Sequence, residues 1–223
     1  MYALYIGVAA TAVSYLYLMV VPTYAQQVNQ GAEADESLWW AAVRETRSLK
    51  LTPQFSIYAL SFGIALSVAV LYKPWLPQAA VGVNIAVMAL WLGGLCLLAR
   101  IDGLCFLLPD VLTQLLLWLG LLISALALTE TLLAVCAVYG VGRVVNGLAF
   151  FYVGQPLFGH GDVKLVAAVT AWLGAAAVLP LLFWACCSCV LIEAVRQRRW
   201  RPSGACAFGP YLVLGALGVW GIG

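Results

Sequence analysis

Residues 96–123 read CLLARIDGLCFLLPDVLTQLLLWLGLLI. One apolar run closes on Arg100 and Asp102, and a second opens at Pro109-Asp110. Both arms are apolar and the charges sit only at the hinge. That is the pattern of two helices that cross a bilayer and turn at its edge, because a charged side chain at the centre of a span costs about 3 kcal/mol. A span takes about 20 apolar residues. Working outward from the hinge, the chain offers such stretches at 2–22, 55–72, 79–99, 110–128, 131–152, 163–178, 179–195 and 207–223. Between them lie Pro53, Lys73-Pro74, Arg100–Pro109, Thr129-Glu130-Thr131, Gly154–Asp162, Leu179-Pro180 and Arg196–Pro202. The reading is an all-α polytopic membrane protein with about eight transmembrane helices, forming a single helical membrane domain over 1–223.

Composition agrees. Of 223 residues, 65% are hydrophobic and 9% charged, against about 25% charged in soluble domains. This excludes an ordinary cytosolic enzyme, a nucleic-acid binder with a basic face and a disordered tail. With the N-terminus outside, the inner loops hold Arg44, Arg47, Lys50, Arg100, Lys164, Arg196, Arg198, Arg199 and Arg201; the outer loops hold Lys73, and Arg143 falls within a span. The positive-inside rule then fixes the cytoplasmic side and leaves both termini outside. Thr23-Tyr24-Ala25 resembles a signal-peptide cleavage site, but no Lys or Arg precedes Arg44. Residues 2–22 therefore read as a retained span. The polar stretch 24–54 reads as a solvated cytoplasmic loop with a short surface helix over 35–49, Trp39 and Trp40 lying at the headgroups. Cys96, Cys136, Cys186, Cys187 and Cys189 lie in apolar runs and are expected as small buried side chains. Cys105 and Cys206 fall in cytoplasmic loops, where thiols stay reduced. No pair of CxxC motifs occurs, which argues against a metal site.

The nine acidic residues are the sparest and most informative set. Four lie in 24–54, Glu130 in an outer turn and Glu193 near the inner end of a span. Asp102, Asp110 and Asp162 each lie at the cytoplasmic membrane edge, where an ionisable group is costly to desolvate and is a functional candidate. Asp110 follows Pro109 and opens a span, which suits a helix cap. Asp102 follows Arg100 by two positions, so in a helix the two side chains diverge. Asp162 sits in Gly159-His160-Gly161-Asp162-Val163-Lys164, where Gly159 and Gly161 let the backbone bend and another chain approach; an N-cap is the alternative. Two facing carboxylates do not both ionise easily. One keeps a proton and can polarise a peptide carbonyl, while the other takes a proton from water. That is aspartyl proteolysis by general acid–base catalysis, without a metal.

Three motifs carry a family resemblance. Ile101-Asp102, Leu107-Leu108-Pro109-Asp110-Val111-Leu112-Thr113 and Leu116-Leu117-Trp118-Leu119-Gly120-Leu121 resemble the first aspartate motif of type IV prepilin peptidases. Gly159–Leu165, running to Ala171-Trp172-Leu173-Gly174, is similar to their second motif, and Phe208–Ala216 to their last span. The resemblance implies a GxGD-type aspartyl protease of the bacterial inner membrane. Such enzymes remove the short basic leader from prepilins or pseudopilins on the cytoplasmic side, just before a hydrophobic helix. Carried over, Asp102 and Asp162 are the catalytic pair. Gly159, Gly161, Asp110 and Lys164 support it, with Lys164 steadying the neighbouring charge.

Departures from the family pattern are Leu104 in place of a second Asp, Cys105-Phe106 in place of polar or basic residues, and Pro156 in place of an acidic residue. Long bifunctional members also methylate the new N-terminus with S-adenosylmethionine and carry two CxxC pairs that 24–54 lacks. S-adenosylmethionine is therefore expected only if methyl transfer is retained. Arg143 either snorkels or lines an interior polar site with Asn146. His160, the variable residue of GxGD, carries no expected metal or acid–base role. Arg196–Arg201 reads as a lipid-headgroup anchor. Expected partners are a prepilin or pseudopilin and membrane lipid, with no nucleic acid. A non-catalytic pilus-assembly protein and an ion-coupled transporter remain alternatives.

Overall fold

The computed structural model describes residues 2–31, 36–45, 53–72, 81–124, 127–198 and 206–222. Every regular element among the described residues is helical. Contacts divide the chain into two compact units, Met1–Cys105 and Phe106–Gly223.

The first unit opens with one continuous helical rod: α1 (Tyr2–Tyr15), a π-helical turn (Leu16–Val20) and α2 (Val21–Asn29). Pro22 explains the π turn. It has no N–H to give and its ring crowds the carbonyl four residues back, so the preceding turn widens to accommodate it. The rod therefore runs past the expected end at 22 and stops at Gly31, which has φ +94. Then come α3 (Glu36–Glu45), α4 (Pro53–Tyr72) and α5 (Val81–Cys105). In α3, Trp40 is exposed as expected, but Trp39 is buried, edge-on to Tyr24 with ring centroids 5.5 Å apart. α5 is the core helix of this unit. It packs against α1, α2 and α4 and buries Ile85, Met88, Trp91, Leu95, Leu98 and Ile101.

The second unit holds α6 (Asp110–Ile123), α7 (Leu128–Val153), α8 (His160–Leu173), α9 (Val178–Gln197) and α10 (Gly209–Ile222). α8 is buried without interruption from Leu165 to Trp172, with α6, α7 and α10 packed on it. Apolar residues all round a helix are what such a central position requires. Trp172 donates its indole N–H to the Leu116 carbonyl of α6 at 2.7 Å. The contact is close because residue 120 is glycine; a Cβ there would lie 2.7 Å from the indole.

Two breaks differ from the sequence reading. Thr129–Thr131 is the first turn of α7, and the break lies before it, around Ser124 and Ala127. The break expected at Leu179-Pro180 lies at Gly174, which has φ +81. A 3-10 turn follows, Ala175–Ala177. Pro180 is the third residue of α9, where its missing N–H would have had no acceptor within the helix.

Among the described residues, four helices are long and apolar enough to cross a membrane: Leu4–Asn29, Val81–Cys105, Leu128–Val153 and Ala175–Gln197. Ala59–Ala69, α6 and α10 are shorter apolar segments. The chain is a multi-pass helical membrane protein. This also corrects the expectation for cysteine. Cys136, Cys186 and Cys187 are exposed, Cys96 and Cys189 half-buried and Cys105 buried. Lipid accepts apolar side chains on the outer face, so hydrophobicity does not sort inside from outside here.

α9 and α10 approach backbone to backbone at Gly215, where a Cβ would lie 2.5 Å from the Leu181 carbonyl oxygen, whereas a Cβ at Gly218 would meet nothing within 4 Å. Gly215→Ala should therefore destabilise by about 1–3 kcal/mol through overpacking. Gly218→Ala should be neutral or stabilise by up to about 1 kcal/mol. Thermal unfolding of both variants in detergent checks the contrast.

Candidate functional site

Asp102 lies in the last turn of α5, in the first unit, and is only 5% exposed. Neighbouring Arg100 is exposed and points elsewhere, its guanidinium 5.6 Å over the Tyr17 ring. This agrees with the divergence expected of side chains two positions apart. The end of α5 is tied to α2 by the Asn29 side-chain amide, which donates to the Leu104 carbonyl at 3.5 Å. The helix stops at Phe106, held at φ +57. A bulky residue in the left-handed region stores strain of about 1–3 kcal/mol.

Asp162 lies in the second unit, as the third residue of α8, and is half-buried. Its Oδ2 accepts the Gly159 backbone N–H at 3.2 Å. The carboxylate thus satisfies a donor at its own helix start and is held in one orientation. Neither Gly159 nor Gly161 is among the positive-φ glycines, so the expected sharp bend is not why glycine is needed. Space is the reason. A Cβ on Gly159 would lie 2.9 Å from Asp162 Oδ2, and one on Gly161 would lie 2.9 Å from the Leu108 Cβ.

The second contact brings the Leu-Pro-Asp segment against GxGD. The same two segments share an ion pair, Lys164 Nζ to Asp110 Oδ1 at 2.6 Å, with side chains 34% and 55% exposed. Two expectations change here. Asp110 makes no side-chain cap bond, the N-cap position belonging to Pro109. Lys164 pairs with Asp110 rather than with its neighbour Asp162. At this exposure the pair contributes about 0–1 kcal/mol, so its role is register more than stability.

The loop before GxGD is fixed by a residue the sequence reading paired with Arg143. Buried Asn146 of α7 takes the Phe158 backbone from both sides, accepting its N–H at 2.9 Å and donating to its carbonyl at 2.8 Å. Arg143 instead reaches His160 Nδ1 at 2.9 Å. The bond requires the imidazole to be neutral at that nitrogen, since a guanidinium only donates. Asp162 lines a cavity of about 330 Å³, with walls that include Val141, Val145, Phe158, Val166, Phe208 and Leu212. Among the described residues, Asp162 is the only ionisable one on that wall. Space of this size holds a small apolar group, since engineered cavities of about 150 Å³ take up benzene. The cavity surface is almost wholly apolar, so Asp162 borders it chiefly through its carbon atoms, while its carboxylate is held at the exposed start of α8, where it can polarise a bound amide or water.

The type IV leader peptidase family model matches residues 89–193, which contain Asp102, Asp110, Asp162 and Lys164. Three curated relatives are each called prepilin leader peptidase/N-methyltransferase. The Pectobacterium carotovorum subsp. carotovorum protein is 34% identical over 146 residues, 60% of this chain and 52% of the relative. That of Dickeya chrysanthemi is 38% identical over 133 residues, 55% and 46%. That of Escherichia coli (strain K12) is 35% identical over 127 residues, 54% and 56%. The chain thus spans about half the length of the curated relatives it matches. No solved structure matches it.

If the Gly161–Leu108 approach sets the register of the two segments, Gly161→Ala should lower stability by about 1–3 kcal/mol. Adding Leu108→Ala, which removes the opposing side chain, should recover part of that loss. A double-mutant cycle on unfolding midpoints measures the coupling, and strict additivity would contradict the contact.

Proposed function

We propose that this chain, which matches the type IV leader peptidase family model over residues 89–193, is an intramembrane aspartyl endopeptidase. Its substrate is a prepilin or pseudopilin, and it removes the basic leader at the cytoplasmic face of the inner membrane. The observation that carries this reading is Asp162: a carboxylate held by its own helix start, at the wall of an otherwise apolar cavity, inside the family segment. Asp102, at the end of α5, supplies the second carboxylate. By the distribution of basic residues along the sequence, both carboxylates fall at the cytoplasmic membrane edge. We read the apolar helices as about eight spans of one membrane peptidase domain.

In the reaction, one Asp is ionised and removes a proton from water as that water attacks the scissile carbonyl. The other is protonated and donates to the carbonyl oxygen; as the tetrahedral intermediate collapses it takes that proton back, and the first Asp delivers the proton taken from water to the departing amine. The glycines at 159 and 161 leave room for the Asp162 carboxylate and for Leu108, which sets the start of α8 against the Leu-Pro-Asp segment. A leader rich in positive charge stays in the cytoplasm, and the apolar helix that follows it stays in lipid, so the bond between them lies at the membrane edge.

The relatives' names include N-methyltransferase. S-adenosylmethionine is polar at both ends. The cavity beside Asp162 offers apolar walls, and the one bounded by Thr113, Gln114, Tyr139 and Lys164 has about 280 Å³ and a lysine already engaged by Asp110. Neither suits the methyl donor.

In proteoliposomes with a full-length prepilin, the native chain should convert precursor to mature pilin. Asp102→Asn and Asp162→Asn should each leave it uncut, a loss of at least about 1,000-fold for an essential acid or base. Full processing by either variant would sink the assignment. Labelled methyl donor in the same reaction tests the second activity.

A further inference from the structure

Glu193, in the last turns of α9, is a buried carboxylate that the reaction above does not use; it is 5% exposed. It accepts three hydrogen bonds: from the Tyr211 hydroxyl at 2.9 Å, Gln197 Nε2 at 3.1 Å and the Arg196 guanidinium at 3.2 Å. Burying a carboxylate is costly even when it is paired, and two of its partners lie one turn away on its own helix. Tyr211 is the partner that reaches another element.

Tyr211 is the third residue of α10. Its ring lies 6.4 Å from that of Phe208, and the Phe208 ring lies 6.2 Å from that of Phe158. Phe158 immediately precedes Gly159, whose N–H holds Asp162. Phe158 and Phe208 are also two walls of the Asp162 cavity. The loop that delivers GxGD is thus gripped from two sides. Asn146 holds the Phe158 backbone, and Phe208 backs its ring. Glu193, through Tyr211, fixes the start of α10 and with it Phe208.

We propose that Glu193 is a positioning residue for Asp162, acting through Tyr211 and the Phe208–Phe158 contact. The proposal rests on the leader peptidase reading for its effect on catalysis, but not for its effect on the loop. Removing the latch lets Phe208 withdraw from Phe158, and the 154–162 segment loses the backing of its Phe158 ring while the Asn146, Arg143–His160 and Leu108 contacts remain. Asp162 then samples wrong positions, and a displacement of about 1 Å can cost up to about 100-fold in rate. The cavity itself persists, so substrate still binds.

The test uses the full-length chain in proteoliposomes, with a full-length prepilin as substrate and hydrogen exchange as a second measurement. Tyr211→Phe and Glu193→Leu should lower kcat about tenfold with KM within about twofold. Glu193→Gln, whose amide oxygen still accepts the Tyr211 hydroxyl, should retain most of kcat. In the two impaired variants, amide exchange should quicken across 154–162 and stay native across 165–172. Native exchange at 154–162 in Tyr211→Phe, a change confined to KM, or loosening of α8 as a whole would each overturn the proposal. If the native chain leaves prepilin uncut while Tyr211→Phe still frees 154–162, the latch stands and the peptidase reading fails.

Discussion

Inside an apolar bundle a polar group has no water to turn to, so each one must find its partner in the chain, and those partnerships fix which segments meet. The indole N–H of Trp172 finds the Leu116 carbonyl. The side chain of Asn146 finds both polar atoms of the Phe158 backbone. The carboxylate of Glu193 finds Tyr211. An apolar surface can slide along another at little cost. A buried hydrogen bond cannot be shifted without leaving a donor or acceptor unmet, at about 1–3 kcal/mol each. Three such partnerships therefore give the second unit its register: α8 against α6, the GxGD loop against α7, and α10 against α9.

Small residues make those bonds reachable. Gly120 lets the Trp172 ring settle against α6, Gly215 lets α10 reach α9, and Gly161 lets Leu108 close on the start of α8. Where lipid surrounds a bundle, the hydrophobic effect gives little net force between helices, so close approach and hydrogen bonding carry the packing. Glycine thus acts here mainly through missing volume. Left-handed backbone matters at Gly154 and Gly174, the turns that end α7 and α8.

Much of this was legible beforehand. Each apolar stretch is helical because a run of that length in lipid has to satisfy its own backbone. Charges marked the ends of the stretches well where they were plentiful, as at Arg100–Pro109. They failed at Leu179-Pro180 and Thr129–Thr131, where proline and threonine fit the first turn of a helix as readily as they break one. Cysteine burial failed for a related reason, since lipid-facing and core-facing surfaces share one composition. At the site, sequence singled out Asp162, Asp110 and Lys164 but not who meets whom. The Lys164–Asp110 pair spans 54 positions, and nothing local encodes it. Glu193 was visible as an acid at a span's inner end; its partner Tyr211, an aromatic among many, was not.

The two readings of Asp162, helix cap and reactive carboxylate, are not rivals. A carboxylate free to rotate at a membrane edge would spend most of its time turned toward water, since its hydration is worth far more than contact with an apolar wall. The bond from the Gly159 N–H to Oδ2 removes that freedom using a donor that the helix start must satisfy anyway. One oxygen thus fixes the group and the geometry of the other follows, at no extra cost in ordered side chains. The same logic explains why Asp110 is a weaker candidate despite its similar place at a helix start. Its side chain makes no cap bond, is more than half exposed and is joined to Lys164, so it faces a cation and solvent. Helix position alone does not separate the two residues. What each carboxylate is fixed by, and what it is fixed toward, does.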